Sequence, residues 1–199
     1  MKKTPYIAKV YLLLAAFLIA LPTLGTKFYP GQEGRFLVAS ESIRMEPFRE
    51  SVVYISRHNI FGAFGLIINK PIDLEKLKEL GIDAPENAPR MLVGGPVEFP
   101  DKAFGLYANH PQEPLEDYKT DNSLTLEEVI SRIERYPEKQ IYLGYSGWGP
   151  LQLEIELLRG SWTIIEAPKD VIFEEDSTFS IWRDLKNERT PDRYEDQQI

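Results

Sequence analysis

SVVYISRHNIFGAFGLIINKP, residues 51–71, holds two short apolar runs, SVVYIS and GAFGLIIN, bounded by Asn, Gly and Pro. Runs of that length, rich in β-branched residues and closed by turn formers, are the signature of strands. Working outward, the same punctuation isolates RFLVAS from residue 35, RMLVGG from 90, KAFGLYA from 102, KQIYLGYS from 139 and SWTIIEA from 161. Seven strand candidates make sheet the main element.

Helices interrupt them. Asp73 is placed to cap LEKLKEL, which ends at Gly81, and Thr125 with Glu128 forms a capping box. The helix behind that box has Val129, Ile130, Ile133 and Tyr136 as its apolar face and stops at Pro137. PLQLEIELLRG, residues 150–160, is ambiguous: Leu151, Leu153, Ile155 and Leu157 alternate as in a strand, whereas Leu151, Ile155 and Leu158 fit a helical apolar face. Pro150 suits a first helical position and Gly160 the residue past the end, so a helix is expected. A last helix is expected over 177–186, with Phe179, Ile181, Trp182 and Leu185 as its apolar side, followed by a mobile tail from 187 to 199. The mixture predicts a strand-rich α+β fold.

At 199 residues the chain has room for one ordinary domain with short appendages. With 43% hydrophobic and 12% aromatic residues it carries enough apolar material to form a core. The formal charge is −8, yet Lys2, Lys3 and Lys9 lie in a stretch without Asp or Glu, leaving 20 Lys and Arg against 31 Asp and Glu, a balance of −11, from residue 26 onward. So acidic a body repels phosphate backbones, which argues against direct nucleic-acid binding. Cysteine is absent, which removes disulfides, a thiolate nucleophile and cysteine-based metal sites.

The first 25 residues, MKKTPYIAKVYLLLAAFLIALPTLG, pair early lysines with an uncharged run from Val10 to Thr26. That is the layout of a secretory signal. If retained, the run reaches the lower limit for spanning a bilayer, and the lysines hold its start in the cytoplasm. The expected organisation is a signal peptide or membrane anchor over 1–25, a linker over 26–33, a domain over 34–186 and the tail over 187–199. The domain is then periplasmic, or anchored at the inner membrane outside the cytoplasm.

Among motifs, Gly144-Tyr145-Ser146-Gly147-Trp148-Gly149-Pro150 leads from a strand into a helix, where glycines permit tight turns and exposed N–H groups. Its plainer reading is a packed turn under Trp148. Ser146 has Gly144 two residues before it but Trp148 two after, so the nucleophile-elbow pattern is incomplete. His58 and His110 stand in loop-like contexts without metal-ligand spacing, and read as surface or loop histidines. Glu154 and Glu156 diverge if the segment is helical, and read as a solvated or intersubunit face. Gly94-Gly95-Pro96 marks a sharp turn. No nucleotide-binding fingerprint, metal motif or cofactor motif is present.

FLVAS at 36–40, FRESVVYISRHNIFGAFGLIINKP at 48–71, LVGGPVE at 92–98 and YLGYSGWGPLQLEIELLRGSW at 142–162 together resemble the YqgE/AlgH family of bacterial proteins. The resemblance implies a small closed barrel-like sheet flanked by helices. It implies no established enzymatic activity, although a transcriptional-regulator label often accompanies the family. Most relatives lack a leader like residues 1–25, and the position of Ser146 is commonly Ala in them. The matching residues Asn69, Gly94, Gly95, Pro96, Gly144, Tyr145, Gly147, Trp148, Gln152 and Glu154 are the candidate pocket or surface. The leading expectation is a non-enzymatic binding or regulatory module, exported or membrane-tethered, that takes a small ligand or an envelope protein. The alternatives are an enzyme of unknown class, such as a hydrolase using His58 or Glu154 in the same pocket, and a transcriptional regulator.

Overall fold

The computed structural model describes residues 31–84, 90–110, 113–122, 125–166, 169–173 and 180–187. The expected leader, most of the linker, the tail from 188 and residues 177–179 of the expected last helix lie outside the described residues.

Nine strands form two sheets among the described residues. Sheet A is antiparallel and contains β1 (Phe36–Ala39), β2 (Val52–Asn59), β3 (Gly62–Ile67), β8 (Ser146–Trp148) and β9 (Trp162–Ile165), in the order β8-β3-β2-β1-β9. Sheet B contains β4 (Met91–Val93), β5 (Ala103–Ala108), β6 (Lys119–Asn122) and β7 (Glu138–Leu143), in the order β4-β7-β5-β6, with β4 and β7 parallel. The α+β class and the seven expected strands are present. Two further strands are added. The polar β6 has no apolar pattern to announce it, and β8 separates from β7 where the chain leaves one sheet for the other. Neither sheet closes on itself, so the expected barrel is replaced by two open sheets.

Among the described residues four α-helices flank the sheets: α1 (Leu74–Glu79), α2 (Leu126–Ile133), α3 (Gln152–Leu158) and α4 (Ile181–Asn187). Asp73 caps α1 by accepting from the Lys76 amide at 2.7 Å, and the Thr125–Glu128 capping box opens α2. Both caps satisfy amides that the first helical turn leaves without partners.

Three cores follow from the layers. Phe36, Val38, Val52, Tyr54, Leu66 and Ile68 of sheet A and its end pack against Leu92, Phe104, Leu106 and Tyr142 of sheet B. The outer face of sheet B buries Met91, Ala103, Ile141 and Leu143 under Leu77 of α1 and Val129 and Ile133 of α2. The outer face of sheet A buries Leu37, Val53, Ile55, Ala63 and Ile67 with Trp148, Leu153 and Trp162. The central strands of sheet A are therefore covered on both faces, which is why they read as continuous apolar runs rather than as alternating ones. From α4, Ile181 and Leu185 pack into the inter-sheet core, while the Trp182 indole donates to the Ala39 carbonyl at 2.8 Å.

The sheets meet at a seam built from two glycine turns. The Gly94 amide donates to the Leu143 carbonyl at 2.8 Å, the Gly94 carbonyl accepts from the Ile67 amide at 2.9 Å, and Val97 and Tyr145 exchange two 3.0 Å hydrogen bonds. A Cβ on Gly94 would stand 2.2 Å from the Gly144 carbonyl oxygen, and Gly144 itself has φ +66°. Both positions require glycine, one for close backbone approach and one for a left-handed turn.

Candidate functional site

The candidate residues separate into two groups. At the seam, Gly94, Gly95, Gly144 and Tyr145 bring backbone against backbone. Ser146 is fully buried, and its hydroxyl donates to the Gly94 carbonyl at 3.0 Å. It lies in β8 rather than on an exposed strand-to-helix corner, so it is not presented as a nucleophile. Tyr145 stacks on Phe64 at 4.9 Å between centroids. Pro96 and Gly147 are exposed. The Asn69 side chain is a latch onto the start of β2. Its carbonyl oxygen accepts from the Val52 amide at 2.9 Å, and its amide donates to the Glu50 carbonyl at 2.8 Å.

The second group gathers around α3. Glu156 accepts from the Trp148 indole at 2.9 Å and the Trp162 indole at 2.8 Å through one oxygen, and from the Gln152 amide at 2.9 Å through the other. The Gln152 side-chain Oε1 accepts from the Gly149 backbone amide at 3.0 Å. A buried indole N–H needs an acceptor, and one carboxylate serves two of them while fixing α3 to β8 and β9. Glu154 points elsewhere, with one oxygen 2.8 Å from His58 Nε2. The two carboxylates diverge, as helical spacing requires. Both are half-buried and engaged within the fold, which replaces the expected solvated face.

His58 also departs from expectation. It lies in β2 and is buried, not in a surface loop. A β-bulge between Ile55 and Arg57 resets the alternation of β2. Val53 and Ile55 face the α3 side; without the bulge His58 would face the inter-sheet core, but with it His58 joins the α3 side opposite Ala63. There Nδ1 accepts from the Gln32 amide at 3.1 Å, which places the proton on Nε2, donating to Glu154. The His58 amide donates to Glu33 at 3.0 Å. Burial lowers the affinity of the imidazole for a second proton, and the Glu33 carboxylate partly opposes that effect. Both ring nitrogens are thus occupied by the fold, leaving neither a lone pair nor a proton aimed at a substrate. His110 lies in an exposed bend after β5. Among the described residues no group of three or more His, Asp or Glu converges as a metal site.

The outward side of α3 carries what remains. Leu151, Ile155 and Leu158 are 58%, 45% and 89% exposed, whereas Leu153 is buried beneath the helix. The helix begins at Gln152, not Pro150, and Leu151 just before it has φ +60°, a left-handed conformation that a leucine adopts at a cost of about 1–2 kcal/mol. Phe61, 69% exposed, stands in the β2–β3 turn beside the same junction, since Ala63 pairs with Trp148.

The profile of the AlgH-like family matches residues 36–192. The chain belongs to the AlgH-like family. A UPF0301 protein of Desulfotalea psychrophila is 37% identical over 151 residues, covering 71% of this chain and 79% of its own. A UPF0301 protein of Caulobacter vibrioides is 33% identical over 156 residues, covering 72% and 80%. The solution structure of the AlgH protein from Pseudomonas aeruginosa aligns with a TM-score of 0.56 at 30% identity, over 73% of this chain and 82% of that one. A crystal structure of a Corynebacterium diphtheriae protein aligns at 0.59 with 20% identity, over 81% and 88%, and shares the fold.

In this AlgH-like chain, Trp148, Gln152 and Glu154 of the candidate set come together around α3, while Asn69 and the glycine turns do not join them. The residues that sequence reasoning missed are Phe61, Leu151, Ile155 and Leu158. The 151, 155, 158 periodicity was visible and suggested the buried face of a helix, but tertiary packing turned that face outward and used Leu153 as the anchor.

Proposed function

We propose that this AlgH-like protein is a non-enzymatic binding module of the bacterial envelope, held at the inner membrane by residues 1–25 with its domain outside the cytoplasm, and that it contacts its partner through the outward face of α3. The observation that carries the reading is the exposed apolar row Leu151, Ile155 and Leu158, opened by a leucine in a left-handed conformation. An exposed leucine in a strained conformation contributes nothing to the stability of the isolated domain, and strain of this kind clusters at functional surfaces. The polar side chains around α3 support the same reading. Glu156, Gln152, Glu154 and His58 hold the helix rigidly against sheet A, so the apolar row stands on a preorganised platform. Delivery rests on the lysine-bearing start and apolar run of the leader. The acidic body favours an envelope role over a direct nucleic-acid role.

Fractionation of cells with intact-mass measurement of the protein tests delivery: a membrane-bound full-length chain is expected, and an intact soluble cytoplasmic chain overturns the reading. Ile155→Asp with Leu158→Asp tests the face. The double variant is expected to retain the wild-type unfolding midpoint and to lose the contact; retention of every wild-type contact refutes the assignment of α3.

A further inference from the structure

Resting on that reading, we infer that the partner of the α3 face is the lipid bilayer: Leu151, Ile155, Leu158 and Phe61 rest in the interfacial layer of the membrane that holds the leader.

The geometry of attachment carries this. The described chain begins at Gly31, and the next residue, Gln32, donates its amide to His58 Nδ1, whose other ring nitrogen meets Glu154 of α3 at 2.8 Å. The leader therefore joins the domain at α3. From Thr26, the end of the apolar run, to Gln32 there are six residues, which reach about 20 Å at full extension. A domain of roughly 150 residues is about 40 Å across, from a radius of gyration near 15 Å. So short a tether cannot turn the far layer, where α2 covers sheet B, onto the bilayer that holds the leader. It keeps the α3 layer close to the lipid, and that is the layer carrying the exposed apolar row.

Charge decides the kind of contact. A body with a balance of −11 beyond residue 25 gains nothing from anionic headgroups, so contact depends on apolar side chains entering the interface. The helix is built for that. Leu151, Ile155 and Leu158 project from one side, Leu153 anchors the opposite side, and Glu154 and Glu156 are tied down by His58 and the two indoles. Met45, 74% exposed, lies three residues before Phe48, which packs on the same outer face of sheet A.

The natural absence of cysteine makes the test direct. The full chain is reconstituted in phosphatidylcholine vesicles as Leu158→Cys and, separately, Glu127→Cys, each carrying an environment-sensitive fluorophore. Residue 127 is an exposed position of α2 on the far layer. The label at 158 should shift to the blue and be quenched at least threefold more by lipid-borne nitroxide than the label at 127. Adding Leu151→Asn and Ile155→Asp should bring it to the level of 127, and replacing a third of the lipid with phosphatidylglycerol should weaken the quenching. Equal quenching at 158 and 127 in vesicles that float with the protein overturns the inference while the tether stands. If photo-crosslinking at 158 in cells then captures an envelope protein, α3 is a protein-binding face and the proposed function survives without the lipid contact. Failure of the full chain to float with the vesicles removes the tether and this inference together.

Discussion

Two regions drawn from the same stretch of sequence, 142–162, behave in opposite ways. The seam at Gly144–Ser146 is closed: its glycines admit neighbouring backbone, its serine hydroxyl is spent on the Gly94 carbonyl, and it joins the two sheets. The α3 face a few residues later is open, with three apolar side chains turned to solvent while Gln152, Glu154 and Glu156 beside it are tied inward. A glycine-rich signature adjoining an aromatic one invites reading both as one pocket. The difference teaches that glycines in a motif report where backbones cross as readily as where ligands approach.

The comparison breaks most severely at the seam. Gly144→Ala combines a left-handed φ with a Cβ 2.5 Å from the Gly95 carbonyl oxygen, and should cost about 3 kcal/mol or more in urea unfolding. A loss below about 1 kcal/mol would show the seam to be adaptable. Next in size is Glu156→Ala, which leaves the indoles of Trp148 and Trp162 without their acceptor. A loss of about 2–3 kcal/mol is expected, with a changed near-ultraviolet circular dichroism spectrum from the two tryptophans. The open face predicts the opposite sign. Leu151→Asn relieves a strained φ with a residue that tolerates it, and should stabilise the domain by about 1 kcal/mol while weakening its surface contact. If both stability and contact fall, Leu151 is structural and the contrast between the regions disappears.

The smallest effect is on pH. Burial holds the His58 imidazole below its ordinary value of 6.5, so the unfolded chain takes up that proton more readily than the folded one. The stabilisation tied to neutral His58 is therefore complete above about pH 6.5 and is lost as pH falls from there through the lowered folded-state value. His58→Gln should flatten the dependence of the unfolding midpoint between pH 7.5 and 5. An unchanged slope would assign that pH dependence to other groups.

Much of the fold was legible because its signals are local. Asp73 and the Thr125–Glu128 box cap helices where their spacing placed them, since a cap is satisfied within one turn. The central strands of sheet A announced themselves because both faces are covered along Phe36–Ala39, Val52–Ile55 and Gly62–Ile67, so those stretches carry no charged side chain. The polar β6 gave no such sign, and the split between β7 and β8 depended on a change of sheet at Gly144 that no run of residues encodes. His58 illustrates the limit at the candidate site. Its identity was plain, but a one-residue bulge decided which side of β2 it faces, and hence that it meets Glu154 and Gln32.

By itself the sequence determined the α+β class, the family, the main strands and caps and the acidic body, because periodicity, capping chemistry and composition act over a few residues or over the whole chain. Only the tertiary structure decided that Glu156 gathers two indoles, that the glycine turns form a seam, and that Leu151, Ile155 and Leu158 face outward while Leu153 faces in. Those outcomes depend on which surfaces meet across the fold, and a helix carrying leucines on more than one side does not specify which of them the protein will bury.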